Sequence, residues 1–431
     1  MTAGPDHDDR GVYRRYLDAD DHEVPIGPTV VQALRELVGT PPDDHEDTTP
    51  IVLRQGDRRA LGRGDVALEC GGARAVDGAL PADLPLGYHR WQPAQGPERD
   101  LIVSPGRCHL SPGLRDWGFA VQLYAARSRA SWGIGDLADL GTVRDWATGL
   151  GARFLMVNPL HAAAPTMPQE ASPYSPTTRR FASPLYLRPE LVPGAERADV
   201  SMPPGANDAT RIDRDAVWPA KRAALRAVFD VRTGSDGFER WRAGQGRSLE
   251  EFATWCALAE RQGPSWREWP SGLRHPSSPD VAAFANAAPA DVSFHAWMQW
   301  ALATQLADAA ARITVIQDLP IGFAPGGADA WAWQDLLALD VTVGAPPDLL
   351  NGQGQDWGLP PFVPWRLRAA GYAPFIESIR ATIAGAGGLR IDHVMGLFRL
   401  WWIPPGEASG GGGYVRYPSA DLLDILALES D

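Results

Sequence analysis

The stretch GGLRIDHVMG, Gly387 to Gly396, decides how this chain reads. It has the apolar spine of a buried strand, yet Arg390, Asp392 and His393 stand at its far end. Burying such groups without partners is expensive. Residues two apart on a strand share a face, so Arg390 and Asp392 point together while Leu389 and Ile391 turn the other way, toward covering helices. On spacing alone the pair reads equally as a structural ion pair or as part of a catalytic centre.

Three further runs resemble it: WGFAVQLYAAR (Trp117 to Arg127), RFLMVNPLHA (Arg153 to Ala162) and RITVIQDLPIGF (Arg312 to Phe323). Each is apolar until polar groups arrive at its end: Gln122 and Tyr124, Asn158 and His161, Asp318. From about Leu114 such runs alternate with helical text, the rhythm of a parallel sheet or barrel. In a βα barrel the C-terminal strand ends form the floor of the active site, so polar residues there are the arrangement expected of an enzyme. Strands are predicted near 118–124, 154–158, 313–318 and 388–392.

Upstream, residues 1–48 read as a helical segment and linker, with Val30, Val31, Leu34 and Leu37 on one helix face and Gly39 as its stop. Residues 49–112 give short alternating runs such as PIVLRQ, VALEC and LIVSP between Gly, Pro and Asp turns, a small β-sandwich-like domain. Residues 113–431 form the βα domain, with a mainly helical insertion at about 190–290. Two Pro/Gly-rich segments, QEASPYSPTTRRFASPLYL (Gln169 to Leu187) and VGAPPDLLNGQGQDWGLPPF (Val343 to Phe362), read as shaped loops displaying Tyr174 and Trp357. Rings beside Asp, Asn and Gln suit a carbohydrate cleft; the plainer alternative is a self-ordered loop with Trp357 as its own small core. GGGG, Gly410 to Gly413, reads as a flexible loop tip.

Composition excludes several classes. A chain of 431 residues, 44% hydrophobic and 22% charged, has an ordinary globular make-up. Its net charge of -13, with no run of Lys or Arg, offers no footprint for nucleic acid or an anionic membrane. No stretch approaches the roughly 18 apolar residues of a membrane span, and the N-terminus does not read as a signal peptide, so a cytoplasmic protein is expected. Cys70, Cys108 and Cys256, odd in number and far apart, read as packing residues.

With SWGIGDLADL, NPLHA, SPYSPTTRRFASPLYL, QDLPIG, VGAPPDLLNGQGQDWGLPPF and LRIDHVMGLFRLWWIPPGE in this order, the chain resembles the amylomaltases, the 4-α-glucanotransferases of glycoside hydrolase family 77, and especially their bacterial maltodextrin-metabolising branch. GVYRRYLDADDHEVP and LPLGYHRW resemble the N-terminal region of that branch. The resemblance implies an α/β fold, a (β/α)8 TIM barrel with insertions of which about the first four strands are present, preceded by the β-rich domain. It implies retaining transfer of an α-1,4-glucan segment from a maltodextrin donor to glucose or a maltooligosaccharide acceptor, without metal or organic cofactor. Asp392 matches the family's nucleophile and Arg390 the arginine that positions it. Tyr174, Asp318 and His393 match donor-sugar residues, while Asp348 and Trp357 lie in the loop that guides the acceptor.

One departure stands out at this level. The family's acid/base glutamate belongs to a strand in a short Glu-Asp-Leu-Gly stretch that is expected just beyond ADLLDILALES, and a further catalytic Asp is expected beyond that. Glu377, Glu407 and Glu429 are the nearby carboxyls, and none reads as a strand-end group. A glucan-binding relative that does not turn its ligand over therefore remains an alternative, as does an α-glucan hydrolase of the amylase clan.

Overall fold

The computed structural model describes residues 6–18, 20–43, 48–110, 113, 115–232 and 236–431. Residues 44–47 of the expected linker, and residues 111, 112 and 114 at the expected domain boundary, lie outside this set. Contacts divide the chain into two compact units. One comprises Arg115–Gln334 and Ala381–Asp392; the other comprises Met1–Leu114, Asp335–Arg380 and His393–Asp431. The sequence-based division placed everything from 113 in one domain, whereas here 335–380 and 393–431 group with the N-terminal residues.

The first unit is built on a four-stranded parallel sheet, ordered Gly388–Ile391, Thr314–Leu319, Phe154–Val157, Gly118–Val121. These are the four runs singled out above. Helices Leu137–Gly149, Arg214–Val231 and Pro289–Ala310 cover it, their apolar faces joining Leu155, Val157 and Val315 in one core. The helical segment Asp236–Gln262 is broken by a non-helical Gly246. Leu137–Gly149 starts on a capping box, in which Asp136 accepts from the N–H groups of Ala138 and Asp139 while Asp139 accepts from that of Asp136.

The strand Gly388–Ile391 is less buried than its apolar sequence suggests. It lies at one end of the sheet order and all four residues are partly exposed. The polar groups at its end are tolerated because they pair with one another, Arg390 bonding both Asp318 and Asp392.

The second unit holds two sheets. A five-stranded one runs Ile51–Arg54, Arg99–Ser104, Gly87–Pro93, Ala60–Ala67, Ala73–Ala79, antiparallel except for its first pair, around Ile51, Val66, Trp91, Leu101 and Val103. The other runs Gln355–Leu359, Thr342–Ala345, Arg399–Ile403, Gly413–Arg416, all antiparallel. Sequence reading did not find this sheet: 343–362 reads as a loop and is a hairpin. GGGG is likewise not a free tip. A Cβ on Gly412 would lie 2.5 Å from Trp401 Nε1 and from the Trp402 carbonyl, and one on Gly413 would lie 2.7 Å from Leu34. These glycines let backbone pass tightly against tryptophan and against the helix Pro28–Val38. That helix buries Leu34 and Val38 and ends at Gly39, φ 73°, whose N–H bonds the Arg35 carbonyl. Cys256 is buried, but Cys70 and Cys108 are exposed and are not packing residues. No helix among the described residues is long and apolar enough to cross a membrane.

Candidate active site

Strand register assembles the site. Asp318 pairs with Arg390 across parallel strands, and the Asp392 N–H continues the ladder to the Leu319 carbonyl at 3.0 Å. Directly paired residues share a face, and so do residues two apart, so Asp318, Arg390 and Asp392 project together. The Arg390 guanidinium joins them: Nη1 donates to both oxygens of Asp318 at 2.5 and 2.6 Å, and Nη2 donates to Oδ1 of Asp392 at 2.9 Å. The hydrogen bond to Asp318, ahead of the charge of the two carboxylates, raises the pKa of Arg390 further. The Asp318 side chain is nearly inaccessible at 4%, whereas that of Asp392 keeps 28% of its surface. The guanidinium thus compensates a buried carboxylate with one arm and steers an accessible one with the other.

Tyr174 completes this group. The loop that bears it turns at Ser172 and Ser175 and delivers the phenol to Asp318, with Oη donating to Oδ2 at 2.8 Å. Burial, then the hydrogen bond to Asp318, pushes the Tyr174 pKa up to about 12, so it is a donor across the physiological range.

Trp357, His393 and Asp348, also named from sequence, lie in the other unit. Trp357, on the strand Gln355–Leu359, meets His393 edge-to-face with ring centroids 5.0 Å apart, and its Nε1 donates to Gln355 at 3.2 Å. His393 follows Asp392 directly and has φ 50°, the left-handed region. Asp348 is exposed and bonds its own loop, its Oδ1 accepting from the N–H groups of Leu350 (2.8 Å) and Asn351 (2.6 Å).

Two strand-end groups have structural duties. Asn158 is buried, accepts from the Leu123 N–H (2.8 Å) and donates to the Pro159 carbonyl and the Tyr186 hydroxyl. His161 meets Thr382 at 3.2 Å, and burial pulls its pKa down to about 3, so it stays neutral. Sequence reading missed Arg179 and Asp329, both buried beside the Tyr174 loop; the sign of the former was two adjacent arginines in a loop with one other charged residue, Glu170.

A family model described as 4-alpha-glucanotransferase, glycoside hydrolase family 77, matches residues 121–431. The chain belongs to this family. It is 46% identical over 383 residues to a 4-alpha-glucanotransferase of Mycobacterium tuberculosis, covering 81% of this chain and 53% of that one. It is 33% identical to one of Haemophilus influenzae, covering 80% and 56%. It thus spans about half the length of these curated relatives. Among solved structures, amylomaltase from Corynebacterium glutamicum superposes with a TM-score of 0.84 at 32% identity, over 98% of this chain and 69% of that one. Amylomaltase from Streptococcus agalactiae in complex with acarbose has a TM-score of 0.63 at 17% identity, over 73% and 66%, a likeness of fold. Arg390 and Asp392, like Asp318 and Tyr174, fall within the stretch matched by the 4-alpha-glucanotransferase model.

Proposed function

We propose that this chain carries the nucleophile and the donor-sugar residues of a 4-α-glucanotransferase that moves α-1,4-glucan segments between maltodextrins with retention. The observation that carries the reading is the Arg390 bridge between a buried and an accessible carboxylate at the ends of neighbouring parallel strands. Arg390 holds Oδ1 of Asp392, so Oδ2 is the oxygen that attacks the anomeric carbon. The glycosidic C–O bond breaks, the leaving oxygen takes a proton from a carboxylic acid, and a glycosyl ester forms on Asp392. An acceptor hydroxyl then attacks the same carbon, gives its proton to that carboxylate, and the ester bond to Asp392 breaks. Two inversions leave the α configuration.

In this reading Asp318, Tyr174 and His393 hold donor hydroxyls, and Trp357 offers its face to the acceptor. Asp348 serves by shaping the hairpin tip, which its bonds to Leu350 and Asn351 support. The four parallel strands are read as the first half of a (β/α)8 barrel. The partners are a maltodextrin donor and a glucose or maltooligosaccharide acceptor.

The test uses α-maltosyl fluoride, whose leaving group needs no proton. Mass spectrometry should find a maltosyl adduct on the peptide bearing Asp392, and Asp392→Asn, nearly isosteric but unable to form the ester, should release fluoride no faster than buffer. An adduct on another residue, or equal fluoride release by the variant, would sink the assignment.

A further inference from the structure

The loop that carries Tyr174 is fastened to residues 320–329, downstream of Asp318, by a buried polar network with no part in the chemistry above. Its hub is Asp329, fully buried on the short helix Ala328–Ala332. The carboxylate accepts from Thr178 Oγ1 at 2.8 Å, the Arg179 N–H at 2.7 Å and Arg180 Nε at 3.0 Å. Backbone bonds run alongside: the Ala324 N–H to the Pro176 carbonyl (2.8 Å), the Asp329 N–H to the Thr177 carbonyl (3.1 Å), and the Ala328 N–H to Thr177 Oγ1 (2.9 Å).

The Arg179 guanidinium does not turn to Asp329. Its Nη1 donates to the carbonyls of Ile321 (3.0 Å) and Pro320 (3.4 Å), the two residues that leave the strand ending at Leu319. It lies 5.5 Å from the Phe323 ring centre, and its Nε has no hydrogen-bond partner among the described residues. Burial lowers its pKa to about 10 even with Asp329 near. A buried cation with one orphan donor and no carboxylate on its guanidinium is costly to maintain. What it achieves is a fixed exit for the strand whose last residues are Asp318 and Leu319.

We propose that Arg179 and Asp329 are positioning residues, which together hold the Tyr174 hydroxyl on Asp318 and so set the side of the site that Arg390 links to Asp392. The functional half of this inference rests on the donor-site reading above. Neither residue touches the reacting atoms. Arg179 fixes where the Asp318 strand leaves the sheet, and Asp329 fixes where the Tyr174 loop docks against residues 324–329.

Two variants of the full chain test it. Arg179→Lys keeps the charge and the backbone bond to Asp329 but loses the planar fork that reaches the 320–321 carbonyls; Thr178→Val removes one donor from Asp329 at constant shape. In both, hydrogen exchange should quicken in peptides spanning 172–181 and 320–330 but not in those spanning 154–157 or 289–310. Exchange that quickens everywhere, or nowhere, overturns the clamp. The second measurement is a double-mutant cycle on labelling of Asp392 by α-maltosyl fluoride. Arg179→Lys should slow labelling about tenfold with Tyr174 present and less than about twofold in the Tyr174→Phe background. Equal losses in both backgrounds would show a merely structural residue. Should the parent chain fail to label at Asp392, the donor-site reading falls, and the exchange data still decide the clamp.

Discussion

At the scale of single residues, Arg390 carries most of the meaning. One nitrogen serves both oxygens of Asp318 and another serves Asp392, so the planar fork sets the angle between two carboxylates. Lysine has a point charge and could neutralise Asp318 without holding Asp392. Arg390→Lys should therefore leave the melting temperature nearly unchanged but slow Asp392 labelling by about 10²-fold, the scale of a misplaced reacting group; a loss of stability with labelling intact would reverse this assignment. Tyr174→Phe removes a hydrogen bond to a charged acceptor and should weaken donor binding about tenfold or more, read as a rise in the half-saturating fluoride concentration. Half of this geometry was legible beforehand. The period of two puts Arg390 and Asp392 on one face, but the same text left an ion pair and a catalytic pair equally open. What it lacks is register: only the pairing of Asp318 with Arg390 shows that the guanidinium serves two carboxylates.

At the scale of elements, legibility tracked the physics of each pattern. The four parallel strands announced themselves because strands of a parallel sheet read as near-continuous apolar runs, and their observed ranges lie close to those expected. The second sheet did not. Its strands 342–345 and 355–359 are short and carry Gly344 and Gly358, and the tip between them has consecutive prolines, all of which read as loop. GGGG misled for a related reason: sequence shows that glycine permits motion, but not that tryptophan occupies the space a side chain would need.

Helix packing yields a pH prediction. Glu260, on Asp236–Gln262, accepts from Arg222 of the helix Arg214–Val231 at 2.6 and 2.7 Å, and His295 of Pro289–Ala310 lies 3.6 Å away. Burial alone would raise its pKa, but the bonds and charges of these partners override it and hold Glu260 down to about 2. A depressed carboxylate stabilises fully above its unfolded value, near 4.3, and the contribution is lost as pH falls through about 2. The contribution at neutral pH is of order 3 kcal/mol. Glu260→Gln should thus melt several degrees lower than the parent at pH 7, with the gap narrowing between about pH 4 and pH 2. A gap that stays constant across that range would mean the glutamate's charge is not what ties the helices.

At the scale of the whole molecule, the proposed chemistry needs a second carboxyl, and the structure shows what the carboxyls named from sequence are bonded to. Both oxygens of Asp318 accept from Arg390, so neither is placed to give a proton to a leaving sugar. Glu429, on the helix Ser419–Ser430, accepts from the Tyr88 hydroxyl (2.5 Å) and from Arg380 (2.8 Å), with only 7% of its side chain exposed. Glu407 is exposed on the turn after Arg399–Ile403, and Glu377 lies half-buried on the helix Ala373–Ile383. General acid assistance is worth about 10²–10⁴ where the leaving group is a sugar alkoxide, and nothing where it is fluoride. The 431-residue chain should therefore accept maltosyl from α-maltosyl fluoride while producing glucose and longer maltodextrins from maltotriose at least about a hundredfold more slowly. Chromatography of the two reactions side by side separates the cases. Comparable rates would mean that a carboxyl of this chain does donate the proton, and Glu377→Gln and Glu407→Gln would then identify it by which one abolishes the maltotriose reaction while sparing the fluoride.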